Sequence, residues 1–256
     1  MSRYFIEVSY KGTNYAGFQV QKNAPTIQSE VEKALAIGLK QSFNLTGSSR
    51  TDAGVHALQN YFHFDAADNI FSLNKNLNEE ENAERILYSL NSILPEDIVI
   101  KKISKMGAAD HCRFDALSRE YKYFIYFKKN PFYKDIAYFY PYKIDIEKLH
   151  VSASIILNTK DFISFSKRNT QVNNFICSIF KSEWGYENDF LVYNVAGNRF
   201  LRGMVKGLVG TMLKMASGKI SLEEFNEVIT NDNNTKTDFS VPSKGLFLIS
   251  VKYSLL

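Results

Sequence analysis

The first part of the chain switches between two hydrophobic periods. Apolar side chains at every second position are typical of a strand, whereas apolar side chains at every third or fourth position are typical of a helix. This criterion predicts helices at residues 27–39, with Thr26 as the cap, and 83–93, which ends before Pro95. It predicts strands at residues 4–10, 43–46, 58–64 and 98–103. The order strand, helix, strand, strand, helix, strand predicts a ferredoxin-like split βαβ unit.

The rest of the chain repeats this theme loosely, without a detectable sequence repeat. Strands are expected at residues 119–127, 180–186, 190–195 and 247–253, and helices at residues 146–157, 201–216 and after the Ser221–Glu224 capping box. We therefore predict an α+β fold of two ferredoxin-like units, with a central antiparallel sheet and a cleft between the domains. The predicted domains are residues 1–106 and 107–256.

Composition excludes several classes of protein. The 256 residues are 45% hydrophobic, but no apolar run approaches the ~20 residues of a membrane span. The N-terminus alternates like a strand and lacks the three regions of a signal peptide, so a cytoplasmic protein without membrane association is expected. Two cysteines, Cys112 and Cys177, and four scattered histidines give no metal-ligand spacing. We predict no metal and no cofactor, and we interpret both cysteines as core residues.

The basic residues are more informative by position than by number. The net charge of +4 permits an RNA ligand but is modest for this length. Arginines gather beside aromatic residues, which suits a surface that holds phosphates and contacts bases. The candidates for RNA or substrate binding are Arg50, Arg113, Arg119 and Arg202.

Asp52 is the first candidate for chemistry. It follows Arg50 in a turn between the strands predicted at residues 43–46 and 58–64, where a scaffold commonly presents reactive groups. An Asp-x-Gly sequence is also a common structural turn, in which the Asp satisfies local amides and Arg50 is solvated. The residue chemistry leaves both interpretations open.

Residues 49–57 as a string closely resemble the catalytic loop of the TruA family of tRNA pseudouridine synthases. Further segments resemble that family's signatures in the same order along almost the whole chain: residues 15–21, 26–28, 90–91, 94–98, 113–116, 119–123, 161–165, 200–206 and 241–246. An ordered set of this kind is far more specific than one short motif.

The resemblance implies a pseudouridine synthase core, a homodimer and a tRNA substrate. It places the catalytic aspartate at Asp52 and the tyrosine that contacts the target base at Tyr121. Lys206 stands where the family usually carries an arginine, so it is the candidate cation for Asp52, although Arg202 is an alternative. Arg50 matches the residue that helps displace the target nucleotide. By the same resemblance, the target uridines lie at about positions 38 to 40, in the anticodon stem-loop.

Three hypotheses remain at this point. The first is a tRNA pseudouridine synthase, the second is a synthase of the same family that modifies another RNA, and the third is a non-catalytic RNA-binding protein. Asp52, Tyr121 and a cation at position 206 weigh against the third. The sequence does not decide whether Asp52 attacks the base or acts at the sugar, or whether the Tyr121 hydroxyl takes part.

Overall fold

The computed structural model describes residues 1–68, 70–71, 78–167, 173–230 and 236–254, and of residues 79 and 80 only the backbone. The chain divides into two compact units, Met1–Leu117 with Ser250–Leu256, and Ser118–Ile249. The predicted boundary at residue 106 falls earlier than Leu117. The segment between them stays with the first unit because Cys112 is buried there against His63, with 3.1 Å between Sγ and Nδ1.

The first unit is a split βαβ arrangement, as predicted. Its strands are β1 (Ser2–Tyr10), β2 (Thr46–Gly47), β3 (His56–Ala66) and β4 (Ile98–Met106), and its helices are α1 (Ile27–Leu39) and α2 (Glu79–Ile93). The strand order is β4-β1-β3-β2, and every pair is antiparallel. Thr26 caps α1 in a reciprocal box with Ser29, which confirms the predicted start of that helix.

The second unit has the same order of principal elements. Its strands are β5 (Ser118–Tyr126), β6 (Tyr138–Phe139), β7 (Ile179–Glu187), β8 (Phe190–Gly197) and β9 (Leu246–Lys252), and its helices are α3 (Ile146–Asn158), α4 (Met204–Ala216) and α5 (Leu222–Thr230). The strands run in the order β9-β5-β8-β7, with the short β6 added parallel to β5. The last three residues of β9 belong to the first unit. The α+β fold class is therefore confirmed, while the cleft between the domains stays a prediction.

Each unit has its own apolar core. In the first, the rings of Phe18 and Phe62 stack with centroids 4.3 Å apart. In the second, Trp184 packs against Tyr193 at 5.0 Å. Both cysteines are fully buried, as expected, and burial raises the pKa of the Cys177 thiol to about 11. Among the described residues, no helix is long and apolar enough to span a membrane.

Candidate active site

The segment that carries Asp52 alternates between buried and exposed residues. Ser49 and Thr51 are buried, whereas Arg50 is exposed and Asp52 is half-buried. Successive side chains of an extended segment point to opposite sides. The two residues that face inward therefore fix the backbone, and Arg50 and Asp52 are left to project from it.

Buried hydrogen bonds hold the inward-facing residues. The Asn60 amide on β3 donates to Ser49 O at 2.8 Å and accepts from Ser49 N at 3.3 Å. The Tyr10 hydroxyl, at the end of β1, lies 2.8 Å from Thr51 Oγ1. Buried hydrogen bonds rigidify a structure, so Asp52 sits on a well-anchored loop.

Two glycines give the loop its shape. Gly54 has φ +76° and follows Ala53 in a turn closed by the hydrogen bond from Val55 N to Asp52 O, at 3.2 Å. Gly17 has φ +118°, and a Cβ there would lie 3.1 Å from Thr51 O. A side chain at Gly17 would therefore crowd the loop as well as strain the backbone.

Sequence segments that are distant along the chain meet around this loop. Phe18 N donates to Thr51 O at 3.1 Å, and Lys11 N donates to Asp97 O at 2.9 Å. The Tyr15 hydroxyl also donates to the Asp97 carboxylate, and burial together with this hydrogen bond raises the Tyr15 pKa. Three segments that resemble family signatures, residues 15–21, 49–57 and 94–98, thus form one cluster in the first unit.

Arg113 also lies in the first unit, with an exposed side chain. Its guanidinium lies 6.0 Å from the centroid of the Phe114 ring, which is 75% exposed. The preceding residue is anchored, because Cys112 O accepts from the Tyr253 hydroxyl at 2.5 Å. An exposed arginine and aromatic ring on an anchored segment suit contact with RNA.

In the second unit, Tyr121 and Arg119 lie on β5. Tyr121 is buried and packs edge-to-face on Phe200, with ring centroids 5.1 Å apart. Arg119 is half-buried, and its guanidinium donates to Asn198 O at 2.8 Å. Both candidates therefore contact the segment that leads into α4.

Lys206 lies in the first turn of α4. This turn contains no acidic residue, so the lysine charge adds to the positive end of the helix dipole. The Lys206 ammonium donates to Ser243 Oγ at 3.4 Å and is half-buried. Arg202, the alternative cation, is exposed and precedes the helix. The start of α4 is thus electropositive and suited to a carboxylate or a phosphate.

The segment at residues 241–246 packs against the same region. The Tyr123 hydroxyl donates to Pro242 O at 2.7 Å, and a Cβ at Gly245 would lie 2.9 Å from the Tyr123 ring. Burial raises the pKa of Tyr123 above its usual range, so this hydroxyl stays a donor. The hydrogen bond from Lys206 to Ser243 joins this segment to α4. Three further signature segments therefore converge in the second unit.

The predicted site residues are divided between the two units. Asp52, Arg50 and Arg113 belong to the first unit, and Tyr121, Arg119, Lys206 and Arg202 belong to the second. The pairing of Asp52 with Lys206 or Arg202 stays a prediction. Among the described residues, no group of three or more His, Cys, Asp or Glu side chains could hold a metal ion.

Sequence reasoning did not find Tyr10, Asn60 or Ser243. Tyr10 and Asn60 lie on strands, where their spacing resembles that of ordinary sheet residues, and their contacts depend on pairing between distant segments. Ser243 lies within residues 241–246, which resemble a family signature, but nothing in that segment indicates a contact with Lys206.

Comparison with known proteins identifies the family of the chain. The sequence model of a family described as tRNA pseudouridine synthase matches residues 6–115 and 157–254. Three bacterial proteins with the name tRNA pseudouridine synthase A are similar over nearly their whole length. The protein from Parabacteroides distasonis is 38% identical over 99% of this chain and 96% of its own length. The proteins from Bacteroides fragilis and Bacillus pumilus are 37% and 36% identical, over 99% and 96% of this chain, and each match covers 97% of the relative.

Proposed function

The chain belongs to the tRNA pseudouridine synthase family, and on that premise we propose that it isomerises uridine in tRNA with Asp52 as the reactive carboxylate. The observation that carries the proposal is the alternation in the Asp52 loop. Buried Ser49 and Thr51 anchor the backbone while Arg50 and Asp52 project from it. A turn that existed only to reverse the chain would not need both of its inward residues held by buried side chains.

The reaction needs one reactive group and no redox partner. The bond between uracil N1 and ribose C1′ breaks, the base turns while bound, and a bond forms between C5 and C1′. The proton on C5 is lost, and N1 gains one. A carboxylate that attacks the base, attacks the sugar or removes a proton from the sugar would support this sequence. Asp52 suits each of these roles.

The surrounding residues have complementary roles in this proposal. Lys206 supplies the positive charge that faces the Asp52 carboxylate, and Arg202 is the alternative. Lysine provides a point charge rather than the bidentate fork of arginine. Tyr121 contacts the target base by ring stacking, whether or not its hydroxyl also takes part in proton transfer. Arg50 takes the place of the displaced nucleotide or binds its phosphate.

The substrate in this proposal is the anticodon stem-loop of tRNA, at about positions 38 to 40, where bases can be turned out of the stack. Arg113, Arg119 and Arg202 contribute contacts to its backbone. A homodimer in the cytoplasm completes the proposal, because two chains would double the positive charge that acts on one tRNA.

The first test is Asp52→Asn, with release of tritium from C5-labelled uridine in tRNA as the readout. We expect tRNA binding within about twofold of the wild type and a loss of more than about a thousandfold in rate, because the amide keeps the shape and lacks the charge. Asp68→Asn is the matched control, since it removes an exposed carboxylate elsewhere in the same unit. Activity of Asp52→Asn within tenfold of the wild type would refute the role of Asp52.

Mapping of pseudouridines in total RNA separates the alternative functions. Cells with and without the protein are compared. Loss of anticodon stem-loop pseudouridines supports the proposal, loss at another RNA assigns a different substrate, and an unchanged map with retained tRNA binding indicates a non-catalytic protein.

A further inference from the structure

The Asn60 side chain uses its whole hydrogen-bonding capacity within the protein. Its Nδ2 donates to Ser49 O at 2.8 Å and to the Tyr10 hydroxyl at 3.1 Å. Its Oδ1 accepts from Ser49 N at 3.3 Å and from Tyr61 N at 2.9 Å. An amide has two donors and two main acceptor directions, so all four are occupied. Asn60 is completely buried.

These bonds act on the backbone that precedes Asp52. Asn60 binds both polar groups of the Ser49 backbone, and through Tyr10 it is linked to the side chain of Thr51. Ser49 and Thr51 are the inward-facing neighbours of Arg50, and Thr51 directly precedes Asp52. The Ser49 hydroxyl is buried and has no hydrogen-bond partner among the described residues. Ser49 is therefore fixed through its backbone and not through its side chain.

We propose that Asn60 is a positioning residue for the reaction, acting with Tyr10 to hold the Asp52 loop in its reactive geometry. The proposal rests on the function proposed for Asp52. Neither residue needs to touch the substrate, because each acts through the loop. A displacement of about 1 Å in a reacting group can reduce a rate about a hundredfold. Loosening the anchor should therefore lower the chemical rate more than the affinity for tRNA.

A matched pair of substitutions tests the role of Asn60. Asn91 makes the same paired contact elsewhere in the first unit, donating to Ile100 O at 2.9 Å and accepting from Ile100 N at 2.8 Å. Asn60→Asp and Asn91→Asp both remove an amide donor from a backbone carbonyl, yet only the first affects the Asp52 loop. Single-turnover rate at saturating enzyme, dissociation constant for tRNA and melting temperature are measured for both.

We expect Asn60→Asp to lose about a hundredfold in rate with an affinity for tRNA within about threefold of the wild type. Asn91→Asp should keep a rate within about threefold of the wild type, even if its melting temperature falls. A rate for Asn60→Asp close to that of Asn91→Asp would overturn the proposal. If Asn60→Asp does not fold, Tyr10→Phe decides: it keeps the amide contacts with Ser49, and a loss of about tenfold is expected. An unchanged rate in Tyr10→Phe would then count against the proposal.

Amide hydrogen exchange separates this proposal from the proposed function. Peptides that cover residues 48–55 should exchange faster in Asn60→Asp than in Asn91→Asp, because the anchor of the loop is weakened. This readout does not depend on turnover. Equal exchange in the two variants would overturn the positioning role. An inactive wild-type protein that shows the expected difference in exchange would refute the proposed function and leave only the anchoring of the loop by Asn60.

Discussion

At the scale of single residues, Tyr121 has two possible contributions. Its ring is buried against Phe200, as a core residue would be, yet it lies on the strand segment that resembles a family signature. Sequence reasoning could not separate a core tyrosine from a base-contacting one. A strand pattern is the same for a tyrosine that packs in the core and for one that contacts a base, so the position on β5 does not decide between them.

Substitution at Tyr121 resolves these contributions. We expect Tyr121→Ala to lose at least about a hundredfold in single-turnover rate, because the ring is needed for stacking whether or not the hydroxyl transfers a proton. Tyr121→Phe then tests the role of the hydroxyl. A single-turnover rate near that of the wild type indicates stacking alone, and a rate lower by several orders of magnitude with normal tRNA binding indicates proton transfer. Tyr193→Phe is the control, since it removes a buried hydroxyl that bonds Ser182 at 2.8 Å. A Tyr121→Ala protein with wild-type rate would contradict any role in the reaction.

Asp52 could be predicted from the sequence more readily than the residues that anchor its loop. Asp52 and Arg50 are neighbours in a contiguous motif, so the sequence alone indicated them. Asn60 and Tyr10 meet the loop only because β1 and β3 pair in a register that places Val8 opposite Asn60. Local periodicity carries no information about such long-range pairing.

At the scale of elements, helix starts were harder to predict than helix existence. Helix α2 begins at Glu79, ahead of the predicted residue 83, because Asn78 and Glu81 form a capping box that apolar spacing does not reveal. Helix α4 begins at Met204 rather than at Leu201. The cause is Gly203, whose φ of +74° interrupts the helical backbone although apolar spacing continues through it.

Gly203 provides a test of this helix start. Gly203→Ala should lower the free energy of unfolding by about 1–2 kcal/mol, because an alanine is strained at positive φ and its Cβ would lie 3.0 Å from the Lys167 side chain. Gly203→Asn should cost less, since asparagine tolerates this conformation. Gly185→Ala, on β7, has open space around the added methyl group and should be neutral or stabilising. Urea unfolding measures all three, and equal midpoints for Gly203→Ala and the wild type would refute the explanation.

At the scale of the whole molecule, the repeated topology was only partly predictable. The order of strands and helices indicated two split βαβ units, because each element has a clear period. Apolar spacing predicts the last strand but not which strands lie beside it. It therefore did not predict that the segment from Ser250 onward belongs to the first unit. Division of the chain into domains at residue 106 assumed that each unit is continuous in sequence.

A homodimer is the expectation for the assembled protein. One chain has a net charge of only +4, whereas a tRNA presents a long phosphate backbone. Light scattering at assay concentration should give twice the mass of one chain. Lys128 and Lys129 are neighbouring exposed cations of the second unit that suit a phosphate backbone. Mixing Asp52→Asn subunits with subunits in which both lysines are glutamate should restore activity, if one tRNA contacts both chains. A monomeric mass together with full activity would contradict the dimer.

The division of β9 between the two units has a consequence for biosynthesis. Ser250–Lys252 complete the first unit, and the Tyr253 hydroxyl lies 3.0 Å from Ser48 Oγ, just ahead of the Asp52 loop. These residues leave the ribosome only after the whole of the second unit has been translated. A nascent chain that stops short of them lacks the contact between Tyr253 and Ser48, however well its earlier helices and strands have formed. The Asp52 loop can thus be held by Asn60 and Tyr10 early in synthesis, whereas Ser48 ahead of it gains its contact with Tyr253 only near the end.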